Sequence, residues 1–351
     1  TGLQHSNRLD IMGTGTLNID ESRQLQLITQ YYKSQGDDNY GLNLGKGFSA
    51  ISGSSTPYVS KGLNSDRIPG TERHLISLQY SDSDFLRQEL VGQVYYRDES
   101  LRFYPFPTVN ANKQATAFSS SQQDTDQYGM KLTLNSQLMD GWQITWGLDA
   151  EHERFTSNQM FFDLAQASAS GGLNNHKIYT TGRYPSYDIT NLAAFLQSSY
   201  DINDIFTVSG GVRYQYTENR VDDFIDYTQQ QKIAAGKAIS ADAIPGGSVD
   251  YDNFLFNAGL LMHITERQQA WFNFSQGVAL PDPGKYYGRG IYGAAVNGHL
   301  PLTKSVNVSD SKLEGVKVDS YELGWRFTGD NLRTQIAAYY SLSNKSVERN
   351  K

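Results

Sequence analysis

The sequence contains no cysteine, which excludes disulfides, thiolate metal sites, zinc ribbons and cysteine nucleophiles. That absence also fits an oxidising envelope compartment. No apolar run reaches the about 18 residues that a transmembrane helix needs, and the mean hydropathy is negative, so a helical membrane protein is excluded. A membrane β-barrel is not, because its strands need only one apolar face. Positive charge is in deficit, with 30 Lys and Arg against 37 Asp and Glu and a formal net charge of -7. Recognition of a phosphate backbone needs a basic face, so nucleic acid is excluded as a partner. The opening stretch TGLQHSNRLD carries no basic region followed by an apolar one, so it encodes no secretory signal.

Catalytic and cofactor motifs are equally scarce. GLNLGKG at 41–47 is one residue short of a phosphate-binding loop and places Gly47 where Ser or Thr is required, so it reads as a glycine-rich loop. In EHE at 151–153 a strand puts His152 on the face opposite Glu151 and Glu153. That reads as a solvated polar face rather than a metal site. Neither HExxH nor GxSxG occurs. Enzyme chemistry has no support, and no cofactor site is expected.

What the chain does contain is alternation. At 351 residues, with 38% hydrophobic and 12% aromatic residues, it has material for one large β domain or two ordinary ones. Twelve runs alternate between apolar and polar residues, among them YGMKLTLNSQL, FTVSGGVRYQYTE, WFNFSQG and SYELGWRF. Six pairs of runs are joined by short polar turns at 18–22, 81–84, 139–141, 203–205, 265–269 and 328–331. Between the hairpins lie long polar segments near 33–73, 98–127, 156–190, 219–252 and 278–318. Structureless loops beyond about 12 to 15 residues are uncommon in a compact soluble domain. A transmembrane barrel expects them, since its turns are short on one side and its loops long on the other.

Parity along the strands makes the same point. Tyr321, Leu323, Trp325 and Phe327 share one face, while Glu322, Gly324, Arg326 and Thr328 share the other. In the run at 206–218, Phe206, Val208, Val212, Tyr214 and Tyr216 oppose Thr207, Ser209, Arg213, Gln215 and Thr217. A cation on a lipid-facing position near the midplane costs about 2 to 4 kcal/mol, which would enforce this sorting. A soluble sandwich with one dry and one wet face also alternates, but runs of about 9 to 13 residues are long enough to cross a bilayer when tilted. The reading is all-β, an antiparallel transmembrane β-barrel over 1–351. Both ends fall on the long-loop side, and SNKSVERNK forms no closing strand. The expectation is an internal piece of a larger barrel, about twelve strands, with no plug domain.

Chemistry is therefore left to the loops, which interleave aromatics with cations. Arg102 and Tyr104 lie in LRFYPFP; Tyr179, Arg183 and Tyr184 in KIYTTGRYPSY; and Lys285, Tyr286, Tyr287 and Arg289 in GKYYGRG. Arg offers a planar fork of donors and Tyr a rigid amphipathic surface, a combination suited to large anionic ligands. The same residues would also suit loop packing and contacts to lipopolysaccharide phosphates.

WFNFSQGVALPDPGKYY, LAAFLQSSYDINDIFTVSGGVRYQYTE and SYELGWRFTGDNLRTQIAAYYSLSNKS resemble barrel segments of the TonB-dependent outer-membrane receptors. The likeness covers nearly the whole chain. It implies a plugged barrel of about 22 strands, in the outer membrane of a Gram-negative bacterium. The implied activity is import of a ferric citrate-hydroxamate siderophore, iron being carried only as that complex. The implied energy source is the inner-membrane TonB complex, acting through a plug segment that this sequence does not include. Outer-membrane lipid and lipopolysaccharide, and bacteriocins or phages, are further partners the resemblance implies. A passive porin and a soluble glycan-binding β protein remain the alternatives at this point.

Overall fold

The computed structural model describes residues 6–36, 62–112, 114–280, 282–306, 308 and 315–343. The glycine-rich segment at 41–47, much of the expected loop at 33–73 and the residues after 343 lie outside them.

Twelve long strands form the body: β1 Ser6–Asn18, β2 Arg23–Gly36, β3 Gly70–Phe85, β4 Gln88–Arg102, β5 Ala115–Met139 and β6 Trp142–Phe162. The second half comprises β7 Tyr187–Asp201, β8 Phe206–Val221, β9 Gly247–Thr265, β10 Gln268–Ala279, β11 Val316–Thr328 and β12 Arg333–Ser343. They lie in one sheet in chain order, each antiparallel to the next. Two shorter strands, Phe106–Val109 and Lys177–Gly182, extend the sheet by pairing with β5 and β6. Three short helices, α1 Leu164–Ala169, α2 Tyr227–Ala234 and α3 Pro283–Tyr286, sit in the long connections. None of the helices is long and apolar enough to cross a membrane.

The register sorts side chains as the alternation requires. Phe272 pairs with Leu260 on one side and Leu323 on the other, and Phe274 with Ala258 and Tyr321. Leu260, Phe272 and Leu323 are exposed, so this band of apolar side chains lies on one open face of the sheet. On the opposite face Trp271 donates its indole N–H to Glu322, and Arg213 meets Asp149 at 2.6 Å. Among the described residues the buried apolar clusters are small and gather at strand ends and in the long connections: Phe118 with Phe162 and Ala167, Tyr187 with Val221, Tyr287 and Val308, and Ala238 with Ala241 and Leu300. The sheet thus has no dry centre, as expected of a wall with lipid on one side and a polar lumen on the other.

Two expectations need correction. The stretch at 81–84 is not a turn: Ser81 and Asp82 continue the ladder opposite Val91 and Leu90, and the reversal comes at Leu86 and Arg87, with φ of 53° and 65°. A two-residue turn of this hand matches the twist of its strands, and neither residue type announces it. The second concerns the loops. Residues 98–102 and 115–127 are strand, as are 156–162, 187–190, 219–221 and 247–252. β5 alone has 25 residues, about 80 Å of chain at strand rise, so β5 and β6 are longer than the about 9 to 11 residues a tilted membrane-crossing strand needs. Above the lipid band both faces are wet and the alternation that marks a strand disappears.

Two other turns follow sequence chemistry directly. Asp20 accepts from the Ser22 and Arg23 backbone N–H groups at 3.0 and 2.8 Å, and Asn203 accepts from Ile205 and Phe206, both at 2.9 Å. These are Asx turns, which pre-shape a tight reversal.

Candidate functional site

Over the sheet the long connections are tied to one another. Ser240–Ala241 pairs with His299–Leu300, and Asn64–Ser65 with Asn174–Asn175. Asp242 accepts from the Leu302 N–H at 2.8 Å and faces His299 Nε2 at 3.0 Å, while His299 Nδ1 lies 2.8 Å from the Ser240 hydroxyl. The Leu302 N–H, with His299 behind it, holds the Asp242 carboxyl below its ordinary range. Buried Arg67 pins the projecting strands by donating to the Ser120 carbonyl at 2.6 Å and to the Asn158 side chain. Burial lowers its guanidinium to about 10, which leaves it charged at neutral pH.

This framework brings together two of the three cation-aromatic groups found in sequence. Arg183 lies over the rings of Tyr184 and Tyr227, 5.2 and 4.8 Å from their centroids. Tyr227 continues the stack onto Phe161 at 6.1 Å, and Phe161 stacks on Tyr179 at 4.7 Å. The result is a ladder of rings ending in a guanidinium, which also hydrogen-bonds the Tyr227 side chain. Burial pushes the Tyr227 phenol up, against an opposite pull from Arg183, and burial pushes Tyr179 up as well. Both phenols are protonated donors at neutral pH.

α3 packs beside this ladder. Its cap Asp282 accepts from the Gly284 N–H at 3.0 Å, and a Cβ at Gly284 would lie 3.4 Å from the Tyr187 ring and 3.5 Å from Cβ of Tyr184. Tyr286 meets Tyr287 edge-on at 5.2 Å. Tyr287 is buried among Tyr187, Val221 and Val308, so it contributes packing, whereas Tyr286 and Arg289 are exposed. The Lys285 side chain lies outside what the structure describes.

The third group stands at the upper ends of β2 and β4. Arg102 donates to Glu72 at 3.2 Å, and Lys33 reaches the same carboxylate at 3.8 Å. Glu72 also accepts from the Tyr31 hydroxyl. Arg102 is thus answered by a carboxylate, while Arg183 meets the rings of Tyr184 and Tyr227 and hydrogen-bonds the Tyr227 side chain. Tyr104 closes against Gly36, where a Cβ would fall 2.2 Å from its hydroxyl oxygen.

Sequence reasoning about the loops missed two things. One is Tyr227, the ring beneath Arg183, which carries no motif of its own. The other is the lumenal wall, where Arg213 pairs with Asp149, Tyr95 donates to Glu151, and Arg73 meets Glu99 at 2.6 Å. Strand parity was the available signal, since it places these charges on the polar face. His152 lies on the opposite face from Glu151, against Tyr128 at 5.1 Å with Nδ1 2.9 Å from the Thr190 hydroxyl.

The family model described as TonB dependent receptor-like, beta-barrel, matches residues 13–344. The chain belongs to that family. The ferric aerobactin receptor of Klebsiella pneumoniae is 91% identical over all 351 residues, and that of Escherichia coli is 87% identical. The chain spans 48% of the length of each, so it corresponds to about half of such a receptor. Among solved structures, the ferric citrate transporter FecA superposes on 99% of the chain and 45% of its own with a TM-score of 0.66 at 15% identity. That likeness shows the fold. The chain's single antiparallel sheet fits that family, and neither of the alternatives, a passive porin or a soluble glycan-binding β protein, is supported.

Proposed function

We propose that the complete protein is an outer-membrane receptor and transporter for a ferric siderophore of the citrate-hydroxamate type, ferric aerobactin first among them. The two proteins of that name are 91% and 87% identical to this chain over all 351 residues. The observation that carries the reading is the guanidinium of Arg183, held by Tyr184 and Tyr227 and in no ion pair among the described residues. Such a group offers two parallel donors to a carboxylate or hydroxamate edge. Tyr179 and Tyr227 add phenol donors, and Arg289 adds charge at the rim.

In a chain of net negative charge, attraction for an anion must be local, and this is where the loops concentrate it. Energy for import would come from the inner-membrane TonB complex through a plug. The lumenal ion pairs, Arg213 with Asp149 and Arg73 with Glu99, would face that plug. Lipid would meet the outward apolar band, with lipopolysaccharide phosphates above it, and bacteriocins or phages would use the same loops. No enzymatic step is assigned.

The test is uptake of radiolabelled iron by cells whose only ferric receptor is the full-length protein. Accumulation from ferric aerobactin is expected, and it should disappear when TonB is deleted. Equal accumulation without TonB would mean passive flux and would defeat the reading.

A further inference from the structure

Arg183 and the Tyr227 ring beneath it come from different connections, since Arg183 follows the strand Lys177–Gly182 and Tyr227 opens α2. α2 has eight residues, fewer than the about 12 to 15 at which an isolated helix holds in water. A local cap starts it: the Asp226 carboxylate accepts from the Thr228 N–H at 2.8 Å. A cap fixes where a helix begins in the chain, and contacts to neighbouring segments fix where it stands.

Gln230 makes the first such contact. Its Oε1 accepts from the Gly182 N–H at 2.7 Å, and its Nε2 donates to the Ile225 carbonyl at 2.6 Å. One side-chain amide thus joins the residue before Arg183 to the residue two before Tyr227. Gly182 permits the approach, because a Cβ there would fall 2.7 Å from the Phe224 ring and 3.1 Å from Gln230 Nε2. An apolar side chain of the same length would fill the space and break both hydrogen bonds.

Tyr292 makes the second contact, from the connection that carries α3. It ends the short strand Gly290–Tyr292, which pairs with Leu302–Ser305. Its hydroxyl donates to the Asp242 carbonyl at 2.8 Å and accepts from the Asp226 N–H at 3.4 Å. Burial pushes its phenol up, so the proton stays on at neutral pH. Asp242 is in turn fixed by the Leu302 N–H and by His299. Two independent links therefore end within two residues of Tyr227.

We propose that Gln230 and Tyr292 are positioning residues for the anion site, which hold Tyr227 beneath Arg183 and, through Tyr292, tie that placement to the connection carrying α3. The consequence for binding rests on the ferric siderophore reading, whereas the placement itself needs no ligand.

The experiment has two arms, both on the full-length receptor. The first is hydrogen exchange of the α2 backbone amides without ligand. Gln230→Met and Tyr292→Phe should each speed that exchange severalfold while leaving heat-modifiable migration normal. The second is equilibrium binding of ferric aerobactin in double-mutant cycles with Arg183→Ala. With Arg183 present, Gln230→Met should weaken binding about five- to a hundredfold and Tyr292→Phe about two- to tenfold, the worth of two hydrogen bonds and of one. In the Arg183→Ala background each should cost less than about twofold, because a guanidinium that is absent cannot be misplaced. Should Gln230→Met fail to fold, Tyr292→Phe, which removes a single hydroxyl, carries both arms. Equal losses in the two backgrounds would show a merely structural role, and that result or unchanged exchange in α2 would overturn the proposal. Absence of ferric aerobactin binding to the wild type would count against the siderophore reading alone, and the exchange arm would still decide the placement.

Discussion

Arg183→Ala in the full-length receptor is expected to weaken equilibrium binding of the iron-loaded siderophore by about 2 to 5 kcal/mol, the range for truncating one partner of a desolvated charged contact. The guanidinium sits 4.8 and 5.2 Å from the centroids of Tyr227 and Tyr184, so its removal takes away the charge and also frees two rings. Each cation–ring contact is worth about 0.5 to 2 kcal/mol depending on desolvation. Arg183→Lys should recover only part of the loss, because an ammonium cannot present a bidentate edge. Lys237 is exposed on the loop after α2, and its replacement by Ala should change mainly the on-rate and its salt dependence. Heat-modifiable migration should be normal in all three variants. Affinity of Arg183→Ala within about twofold of wild type would remove Arg183 from the anion site.

Gly147→Val should prevent correct barrel assembly. Gly147 lies on β6 opposite Thr133 of β5 and Phe195 of β7. A Cβ there would fall 2.3 Å from the Leu132 carbonyl oxygen and 2.6 Å from the Phe195 ring. The ring can swing aside, but the carbonyl belongs to a neighbouring strand held by its own ladder. Overpacking alone costs about 1 to 3 kcal/mol, and shifting a ladder strand adds to it. The measurement is the fraction of protein that migrates as a folded, heat-modifiable species after outer-membrane extraction. A large drop is expected for Gly147→Val, and little change for Gly277→Val on β10, an interior strand, where a Cβ meets nothing within 4 Å. Equal folded fractions for the two would show that the close approach at Gly147 does not constrain the barrel.

The sequence carried the membrane-spanning part of this architecture because the bilayer imposes a rule on every second residue. Tyr321, Leu323, Trp325 and Phe327 share a face by spacing alone; the structure pairs the first three with apolar or aromatic residues of β10 and β12, and Phe327, near the turn, with Gln268 and Thr334. Above the lipid the rule lapses. SSSQQDTDQ at 119–127 is polar throughout and reads as loop, yet it is strand, held by the β4 and β6 ladders. The turn at Leu86 and Arg87 was hidden for another reason, since left-handed backbone is common for Gly and Asn and uncommon for these residues.

Site residues were legible by type but not by partner. Arg102 and Arg183 look alike in sequence, each beside an aromatic. The register that sets Arg102 beside Gly70 and within reach of Glu72, and the helix that brings Tyr227 under Arg183, are properties of the assembled sheet.

The most direct test of the account is equilibrium binding of iron-loaded siderophores of three classes, citrate-hydroxamate, neutral trihydroxamate and catecholate, to the purified full-length receptor. The account predicts that the citrate-hydroxamate complex binds more tightly than the other two by about a hundredfold, and that raising the salt concentration weakens it. Affinities for all three within about threefold of one another, or no binding of the citrate-hydroxamate complex, would contradict it.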